Sequence, residues 1–390
     1  MTGQRIAINA WFIDAPTTGS GQYLTHLLSE FVAHHAGGRY LLCTRPDQAL
    51  PPELDPLPSC CEQAALRTPF DGLSDRLSKV WFEQVSVPLA CRRWQADLLH
   101  VPYWASPLFS PVPIVVTVHD LIPMLLPPYR GGWVGAWYAR LVRASARRAT
   151  RVITDSEASR RDILQHLRIA PERVGSIYLA AHPRFRPVQE KESLAHVRHK
   201  YALPDRYLLY LGGFDVRKNV TGILRAYAQL EAGVAADTHL VIAGSLPAED
   251  SDFFPDPRRV ARELGIVERV RFTGWVDEED KPGLYSGAEA FLFPSHYEGF
   301  GLPPLEAMSC GTPVIASDRG SLPEVVGQGG LCVDPEDTGA LARAMAQVLS
   351  SQDLRARLRE AALVQAGRFG WDRTAAETVE VYRLCRAEAP

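Results

Sequence analysis

Residues 290–318 read AFLFPSHYEGFGLPPLEAMSCGTPVIASD. The runs AFLFPS and PVIASD at its two ends are short and apolar, as buried strands are. Between them a Gly-Phe-Gly turn is followed by Pro-Pro, and proline is tolerated in the first turn of a helix. The stretch therefore predicts a strand, a tight loop, a helix and a second strand, which is the repeating unit of a parallel sheet covered by helices.

The same alternation continues through the rest of the chain. Further strands are predicted near RIAIN, YLLCT, DLLHV, IVVTVHD and RVITDS in the first half, and near YLLYLGG, HLVIAG and VRFTGW in the second. Helices are predicted near Gly21–His35 and Trp133–Ala149 and between the later strands. Each half has the pattern of one doubly wound α/β domain.

A segment rich in proline and charge, AHPRFRPVQEKESLAHVRHKYALPDR, separates the halves, and we place the domain boundary near Val188. The predicted domains are residues 1–188, residues 189–370 and a last helix, residues 371–390, that can pack back on the N-terminal domain. A crevice between two domains of this kind is the expected ligand site.

Composition narrows the class of protein. The chain of 390 residues is 46% hydrophobic and 22% charged, and no apolar run approaches the roughly 20 residues that span a bilayer. The N-terminus lacks a signal-peptide pattern, and seven cysteines without a C-x-x-C pair indicate reduced thiols. We expect a soluble cytoplasmic protein. A net charge of −3 predicts no nucleic-acid partner, although residues 1–190 hold 20 Lys and Arg against 16 Asp and Glu.

Two carboxylates flank the loop in the opening stretch. Glu298 precedes the turn and Glu306 lies inside the predicted helix. Both could face one pocket at the helix N-terminus, where free N–H groups and a partial positive charge favour a polar or anionic ligand.

The segment GGFDVRKN, residues 212–219, follows a predicted strand and precedes a helix. Gly212 and Gly213 permit close backbone approach, and Arg217 and Lys218 place two cations at the junction, which suits a diphosphate. The alternative is a solvated basic loop.

Two features of the first half occupy similar positions. Gly19, Ser20 and Gly21 follow the first strand and open a helix, so they could approach a phosphate or a sugar; an ordinary turn is the alternative. His119 and Asp120 end the strand IVVTVHD and would point into the crevice, or the histidine is satisfied by a neighbouring carbonyl group. Asp250-Ser251-Asp252 has the form of a metal-binding D-x-D, but its polar loop favours a solvated segment.

The strings GGFDVRKN, HYEGFGLPPLEAMSCGTPVIASDRGSLPEVVG and VVTVHDLIP together resemble the retaining glycosyltransferases of family 4, which have the GT-B fold of two Rossmann-like domains facing a crevice. The second string carries the family's E-x7-E spacing, from Glu298 to Glu306. The strings HDLIP and GGFDVRKN are most similar to the mannosyltransferase branch.

The resemblance implies a role for each matching residue. Arg217 and Lys218 would bind the diphosphate of the donor, Glu306 its ribose and Glu298 the transferred sugar. The remaining implied contacts are a sugar contact from His119 with its neighbour Asp120, phosphate approach at Gly19, Ser20 and Gly21 and at Gly212 and Gly213, backbone N–H groups at Phe300, Gly301 and Leu302, and a base held near Gly274 and Val276.

The implied reaction is transfer of a hexose from a nucleotide sugar, without a metal or other cofactor, to a glycan, a lipid-linked or a small-molecule acceptor. The leaving diphosphate gains negative charge, which preorganised cations and helix N-termini stabilise. GDP-mannose is the donor that the resemblance favours, and UDP-glucose and UDP-GlcNAc stay open. A nucleotide-sugar epimerase, a phosphorylase and a non-catalytic nucleotide-sugar-binding protein are the rival functions. A phosphorylase would need a pyridoxal lysine, and none of the four lysines other than Lys218 lies at a strand end facing the crevice.

The segment GGWVGAWYARLVRASARRATR, residues 131–151, predicts a basic amphipathic helix. One face would carry Trp133, Trp137, Arg140, Arg143, Arg147 and Arg151, and the other Tyr138, Val142, Ser145 and Ala149. The first face suits anionic lipid head groups or a lipid-linked diphosphate, so the protein could bind the inner face of a membrane peripherally. The alternative is a solvated basic face on a helix that stops before Arg151.

Overall fold

A computed structural model describes residues 3–15, 18–34, 37–104, 106–231, 233 and 237–387, without the side chains of residues 133, 134, 136, 138 and 387. The chain divides into two structural units. Unit 1 comprises residues 1–179 and 370–390, and unit 2 comprises residues 180–369. The first change of unit therefore lies at Leu179–Ala180, ahead of the predicted boundary near Val188.

Unit 1 contains a parallel sheet of seven strands in the order β3-β2-β1-β4-β5-β6-β7. The strands are β1 (Arg5–Asn9), β2 (Arg39–Thr44), β3 (Cys61–Ala65), β4 (Leu98–Val101), β5 (Ile114–Thr117), β6 (Arg151–Thr154) and β7 (Val174–Ser176). All pairs are parallel, and Ala7 of β1 lies between Leu41 of β2 and Leu99 of β4. The five strands predicted for this half are confirmed, and β3 and β7 at the two edges are absent from that prediction.

Helices cover the faces of this sheet because its central strands are apolar on both sides. Their bounds are Gly19–His34, Asp75–Trp81, Val87–Trp94, Ile122–Leu125, Gly132–Arg148, Glu157–Leu167 and Trp371–Ala387, with a π-helical turn at Phe82–Ser86. The core includes Leu99, Val116 and Val152 from the sheet, each 1% exposed or less.

The last helix belongs to unit 1, although unit 2 separates it from the rest of that unit in sequence. The Thr374 hydroxyl donates to the Tyr178 carbonyl at 2.6 Å. Further along, the Tyr382 hydroxyl lies 2.7 Å from Nδ1 of His100 in β4, and both residues are fully buried. The helix thus packs over the sheet of unit 1.

The helix Gly132–Arg148 differs from its predicted form at its end. Ala149 follows it with extended backbone, so Arg151 lies in β6 and donates to the Glu172 carbonyl. The predicted stripe is therefore wrong at Arg151. Val142 and Ser145 are buried as predicted, and Trp137 is 64% exposed. The Tyr138 and Trp133 side chains lie outside the described part.

Unit 2 contains a parallel sheet of six strands in the order β10-β9-β8-β11-β12-β13. The strands are β8 (Tyr207–Leu211), β9 (His239–Ala243), β10 (Val270–Gly274), β11 (Ala290–Phe293), β12 (Val314–Ser317) and β13 (Gly330–Val333). Its helices include Lys191–Lys200, Val220–Ala228, Pro257–Glu263, Lys281–Ser286, Leu302–Ser309, Leu322–Val326, Thr338–Ser350 and Gln352–Ala366. The strand, loop, helix and strand predicted for residues 290–318 are confirmed.

Candidate active site

The two loops that the sequence singles out in unit 2 are neighbours. β8 and β11 are adjacent in the sheet, and the chain leaves them in opposite directions, toward β9 and toward β12. Residues 212–219 follow β8, and residues 294–301 follow β11. In open α/β sheets, ligands bind outside the carboxyl ends of the strands at such a reversal of strand order.

Asn219 joins these two loops. Its backbone is left-handed, with φ of 55°, and its side-chain oxygen accepts from the N–H of Gly222, which caps the helix Val220–Ala228. Its side-chain NH₂ donates to the Pro294 carbonyl at 3.2 Å and the Pro335 carbonyl at 2.9 Å. The loop with Arg217 and Lys218 is thereby fixed against the loop that follows β11.

Arg217, Lys218 and Glu298 form a buried charge cluster between these loops. Nη1 of Arg217 and Nζ of Lys218 lie 2.6 Å and 2.8 Å from the same Glu298 oxygen, Oε1. Nη1 of Arg217 also donates to the Tyr297 carbonyl at 2.9 Å. The three side chains are only 11–14% exposed. Two predicted phosphate-binding cations therefore meet the predicted sugar-binding carboxylate.

The two cations stabilise the charged form of Glu298. Burial raises the pKa of Glu298, but the Lys218 and Arg217 charges outweigh that effect and hold this pKa below its usual range. Asp215 lies 3.5 Å from Nε of Arg217 as a second, more distant carboxylate. An anionic ligand at this position would compete with Glu298 for the same two cations.

The helix Leu302–Ser309 begins at this cluster. Gly301 precedes it with φ of +112°, and a Cβ atom there would lie 2.8 Å from a Leu322 methyl carbon, so a side chain would be strained as well as crowded. Pro303 and Pro304 carry no N–H, which leaves Gly301 and Leu302 to supply the backbone donors of the first turn. Phe300 is 5% exposed.

Glu306 lies in this helix in a different environment. It is 9% exposed, and the buried Tyr285 hydroxyl donates to its Oε2 at 2.9 Å. Burial raises its pKa to about 7, against the opposing effects of Lys281 and of the Tyr285 hydrogen bond. The two carboxylates of the E-x7-E pattern thus have pKa values shifted in opposite directions, which is typical of groups with different roles.

Glycines line the carboxyl edge of this sheet. Gly212 donates to the Ala243 carbonyl at 3.1 Å, and the Gly213 carbonyl accepts from the Tyr210 hydroxyl. Gly244, with φ of +130°, lies so close that a Cβ atom would overlap the Gly212 carbonyl oxygen. Gly274 ends β10 with φ of +73°, and Val276 beyond it is 2% exposed.

His119 of unit 1 has internal partners for both ring nitrogens. Nδ1 lies 2.8 Å from an Asp155 oxygen, and Nε2 lies 3.2 Å from the Pro102 carbonyl oxygen. Burial lowers the pKa of His119, but Asp155 reverses this and raises it above its usual value. Both ring nitrogens therefore face acceptors, which favours an imidazolium that donates to each of them. This arrangement matches the alternative named from the sequence, a histidine satisfied by a neighbouring carbonyl group. A side-chain contact of His119 with a sugar stays a prediction.

The other predicted residues of unit 1 have local roles. The Asp120 carboxylate accepts from the Ile122 N–H at 2.9 Å, next to the short helix Ile122–Leu125. Gly21 is required by its own loop, since a Cβ atom would overlap the Ala15 carbonyl oxygen. Gly19 has open space around it and Ser20 is half-buried. Phosphate or sugar contacts at these positions stay predictions.

Two buried groups of unit 1, Asp155 and His100, are not predicted from the sequence. Asp155 directly follows β6, and His119 follows the adjacent strand β5, so their shared position after neighbouring strands is a signal that could have predicted the pair. His100 links Tyr382 to the Thr117 hydroxyl, which is 2.9 Å from its Nε2. Burial lowers the pKa of His100 to about 3, with a smaller effect from His119. A lone histidine within an apolar strand gave no such signal.

The described residues contain neither a candidate metal cluster nor a candidate membrane span. No group of three or more His, Cys, Asp or Glu side chains is placed to hold a metal ion among them. In the same ranges, no helix combines the length and apolar character needed to cross a bilayer.

Solved structures with the same architecture cover nearly the whole chain. Sucrose-phosphate synthase from Thermosynechococcus elongatus superposes with a TM-score of 0.76 at 23% identity, over 99% of this chain and 100% of that one. The Anabaena protein HepE, solved in complex with UDP and glucose, gives 0.74 at 19% identity over 97% and 99%. Two Rossmann-like parallel sheets and this likeness define the GT-B fold.

Sequence comparisons identify the class. Residues 17–183 match the model of Glycosyltransferase Family 4, and residues 195–365 match that of Glycosyl transferases group 1. O-antigen chain mannosyltransferase B of Escherichia coli is 35% identical over 69% of this chain and 70% of its own length. The chain is thus a glycosyltransferase of the GT-B type. It belongs to family 4, in the mannosyltransferase branch.

Other relatives differ in length and in named activity. The serotype-specific mannosyltransferase WbdA of Escherichia coli is 32% identical over 68% of this chain, which spans about a third (33%) of that longer protein. D-inositol 3-phosphate glycosyltransferase 2 of Catenulispora acidiphila is 29% identical over 86% of this chain and 82% of its own.

Proposed function

We propose that this protein transfers mannose from GDP-mannose to a glycan or lipid-linked acceptor, with retention of configuration at the anomeric carbon. The Arg217–Lys218–Glu298 cluster at the strand reversal of unit 2 carries the proposal. Two buried cations on one carboxylate form a preorganised site for an anion. The named activities of the relatives in the mannosyltransferase branch support mannose as the sugar.

In the proposed reaction, the diphosphate of the donor takes the place of Glu298 beside Arg217 and Lys218. The bond between the anomeric carbon and the phosphate oxygen breaks, and its electron pair leaves with the diphosphate, whose growing charge the two cations stabilise. The acceptor oxygen bonds to the same face of that carbon, and its proton passes to the leaving phosphate. Because the two cations perform this stabilisation, the proposal requires no metal.

Glu298 then positions the sugar and Glu306 the ribose. Once displaced from the cations, the Glu298 carboxylate is free to accept hydrogen bonds from sugar hydroxyls. Glu306 can accept from ribose hydroxyls when ionised and already accepts from Tyr285. The backbone donors of Gly301 and Leu302 lie at the start of the same helix. We further propose a cytoplasmic location, with peripheral membrane contact through the helix Gly132–Arg148.

Substitution of the two cations tests the proposal. Arg217→Ala and Lys218→Ala should each lower kcat by about 100-fold or more, the scale of a lost charge-stabilising donor. Arg225→Ala, at an exposed position of the helix Val220–Ala228, is the matched control and should keep full turnover. Steady-state kinetics with GDP-mannose, UDP-glucose and UDP-GlcNAc would measure this and identify the donor. Unchanged kinetics in the Arg217/Lys218 double variant would exclude the assigned role.

A further inference from the structure

The ion pair of Lys79 and Glu83 lies beside two aromatic rings at the carboxyl end of the unit 1 sheet. β1 and β4 are adjacent there, and the chain leaves them in opposite directions, so this is the strand reversal of unit 1. The loop after β1 supplies Phe12, and the loop after β4 supplies Tyr103. The two rings meet edge to face, with centroids 4.9 Å apart.

Lys79 directs its ammonium group to both rings. Nζ lies 5.0 Å from the centroid of Phe12 and 5.1 Å from that of Tyr103, within the range of a cation–π interaction. The lysine side chain is 26% exposed, so this ammonium can still reach a ligand. Most of the surface of its helix, Asp75–Trp81, is exposed, and Ser78 is its one buried residue.

Glu83 is the buried partner of Lys79 in an ion pair. Its Oε1 lies 3.5 Å from Nζ of Lys79, and the residue is 1% exposed. It lies in the π-helical turn Phe82–Ser86, and such turns, which insert one residue into a helix, occur often at functional sites. Burial raises the pKa of Glu83 to about 7 in spite of Lys79. Burial disfavours the charged form of Glu83, and the Lys79 ammonium offsets part of that cost.

We propose that Lys79, held by Glu83 and flanked by Phe12 and Tyr103, binds the terminal sugar of an uncharged glycan acceptor. The inference rests on the proposed function, since it assigns the acceptor class of that reaction. An ammonium group offers donors to hydroxyl oxygens, and the half-buried Phe12 ring can pack against a C–H face of a sugar. Tyr103 is only 4% exposed and supports Lys79 from the core. Glu83 does not touch the acceptor and is a positioning residue.

The charge of the site favours a neutral acceptor over a phosphorylated one. Above a pH of about 7, where Glu83 is ionised, the Lys79–Glu83 pair has no net charge, so little remains to attract a phosphate ester. The nearby Arg45, after β2, is also paired, at 2.6 Å from Asp14. Among the relatives, the O-antigen chain mannosyltransferase is named for a glycan and the inositol enzyme for a phosphate ester. The paired cations favour the first kind of acceptor.

The test compares mannotriose with D-inositol 3-phosphate as acceptors of the full chain at pH 8, where Glu83 is ionised. Lys79→Met should raise KM for mannotriose about 10-fold, the equivalent of roughly 1.4 kcal/mol, and leave the Kd of nucleoside diphosphate unchanged. Lys79→Arg should restore part of the affinity. Glu83→Gln leaves the lysine charge unbalanced and should shift the kcat/KM ratio about 10-fold toward the phosphate ester. Lys191→Met, at an exposed lysine of unit 2, is the control.

Mannotriose binding by saturation-transfer NMR needs no turnover and separates the two hypotheses. If no nucleotide sugar is consumed but mannotriose binds the wild type and not Lys79→Met, the acceptor site stands and the transferase function fails. If transfer occurs but KM for mannotriose stays within two-fold in Lys79→Met, the acceptor site is wrong. Preference of the wild-type protein for D-inositol 3-phosphate would also overturn it.

Discussion

Glu298→Gln should weaken the fold and yet preserve, or tighten, the binding of free nucleoside diphosphate. In the structure, one Glu298 oxygen pairs with both Arg217 and Lys218. A glutamine removes the charge and leaves two buried cations without their counter-ion. A diphosphate brings replacement charge to the same cations, so the variant should depend on ligand for stability more than the wild type does.

The magnitude follows from the geometry. At 2.6 and 2.8 Å, each ion pair corresponds to a Coulomb attraction of about 6 kcal/mol at an effective dielectric constant of about 20. The desolvation of three charges offsets most of this, and loss of one partner from a buried pair costs roughly 3–5 kcal/mol. A glutamine still accepts one hydrogen bond and Asp215 remains near Arg217. We therefore expect a loss of about 2–3 kcal/mol in the free energy of unfolding.

Denaturant unfolding with and without nucleoside diphosphate, together with calorimetry, measures both effects. Glu289→Gln is a matched control, because Glu289 also pairs with two cations, Arg206 at 3.0 Å and Arg355 at 2.9 Å. It precedes β11, at the opposite end of that strand from Glu298. The control should lose stability without any change in nucleotide affinity.

Sugar transfer should fall sharply in Glu298→Gln, since an amide cannot position the sugar as the carboxylate does. A nucleoside diphosphate Kd that rises more than about 10-fold in Glu298→Gln, as expected for Arg217→Ala, would refute the reasoning. It would show that Glu298 belongs to the diphosphate site itself rather than competing with the ligand for the cations.

Two further predictions concern pH and lipid. The folded-state pKa of Glu306, about 7, exceeds its unfolded value, so the folded protein binds the extra proton and its free energy of unfolding falls as pH rises from about 4.5 to 7. Glu306→Gln should remove this loss, which is worth at most about 3 kcal/mol, when unfolding is measured at pH 5 and at pH 8. The same change with pH in both proteins would contradict the assignment. In sedimentation with anionic vesicles, binding should weaken with salt and in the double variant Trp137→Ser plus Arg140→Ser, since the Arg140 guanidinium lies 5.6 Å from the centre of the exposed Trp137 ring. The control double variant Arg92→Ser plus Arg93→Ser, at exposed positions, should bind as the wild type does. Binding that is indifferent to salt and to the first double variant would rule out the membrane contact.

The sequence predicted the elements whose physics is local. Apolar strands such as β8 and β11 are buried throughout, so their composition alone indicates their place in a parallel sheet. β3, β7 and β13 are edge strands with mixed burial, and their residues carry no such pattern. The glycine and proline signals around Gly301 likewise predicted the loop and the helix that follows it.

The candidate site was predictable in its residues and not in its pairing. Strand ends placed Arg217, Lys218 and Glu298 at one edge of the sheet, but one carboxylate oxygen held by both cations depends on side-chain geometry that spacing does not contain. The opposite pKa shifts of Glu298 and Glu306 depend on burial for the same reason. The pairing of His119 with Asp155 spans 36 positions and needs the order of β5 and β6 in the sheet.

The discontinuity of unit 1 sets an order for the folding of the newly made chain. All of unit 2 leaves the ribosome before the helix Trp371–Ala387 does, so the sheet of unit 1 waits through 190 residues of further synthesis for the helix that covers it. Until then His100 lacks its Tyr382 partner, and part of an apolar face stays open to water. A nascent chain that stalls before residue 370 can complete unit 2 while unit 1 remains a client for chaperones.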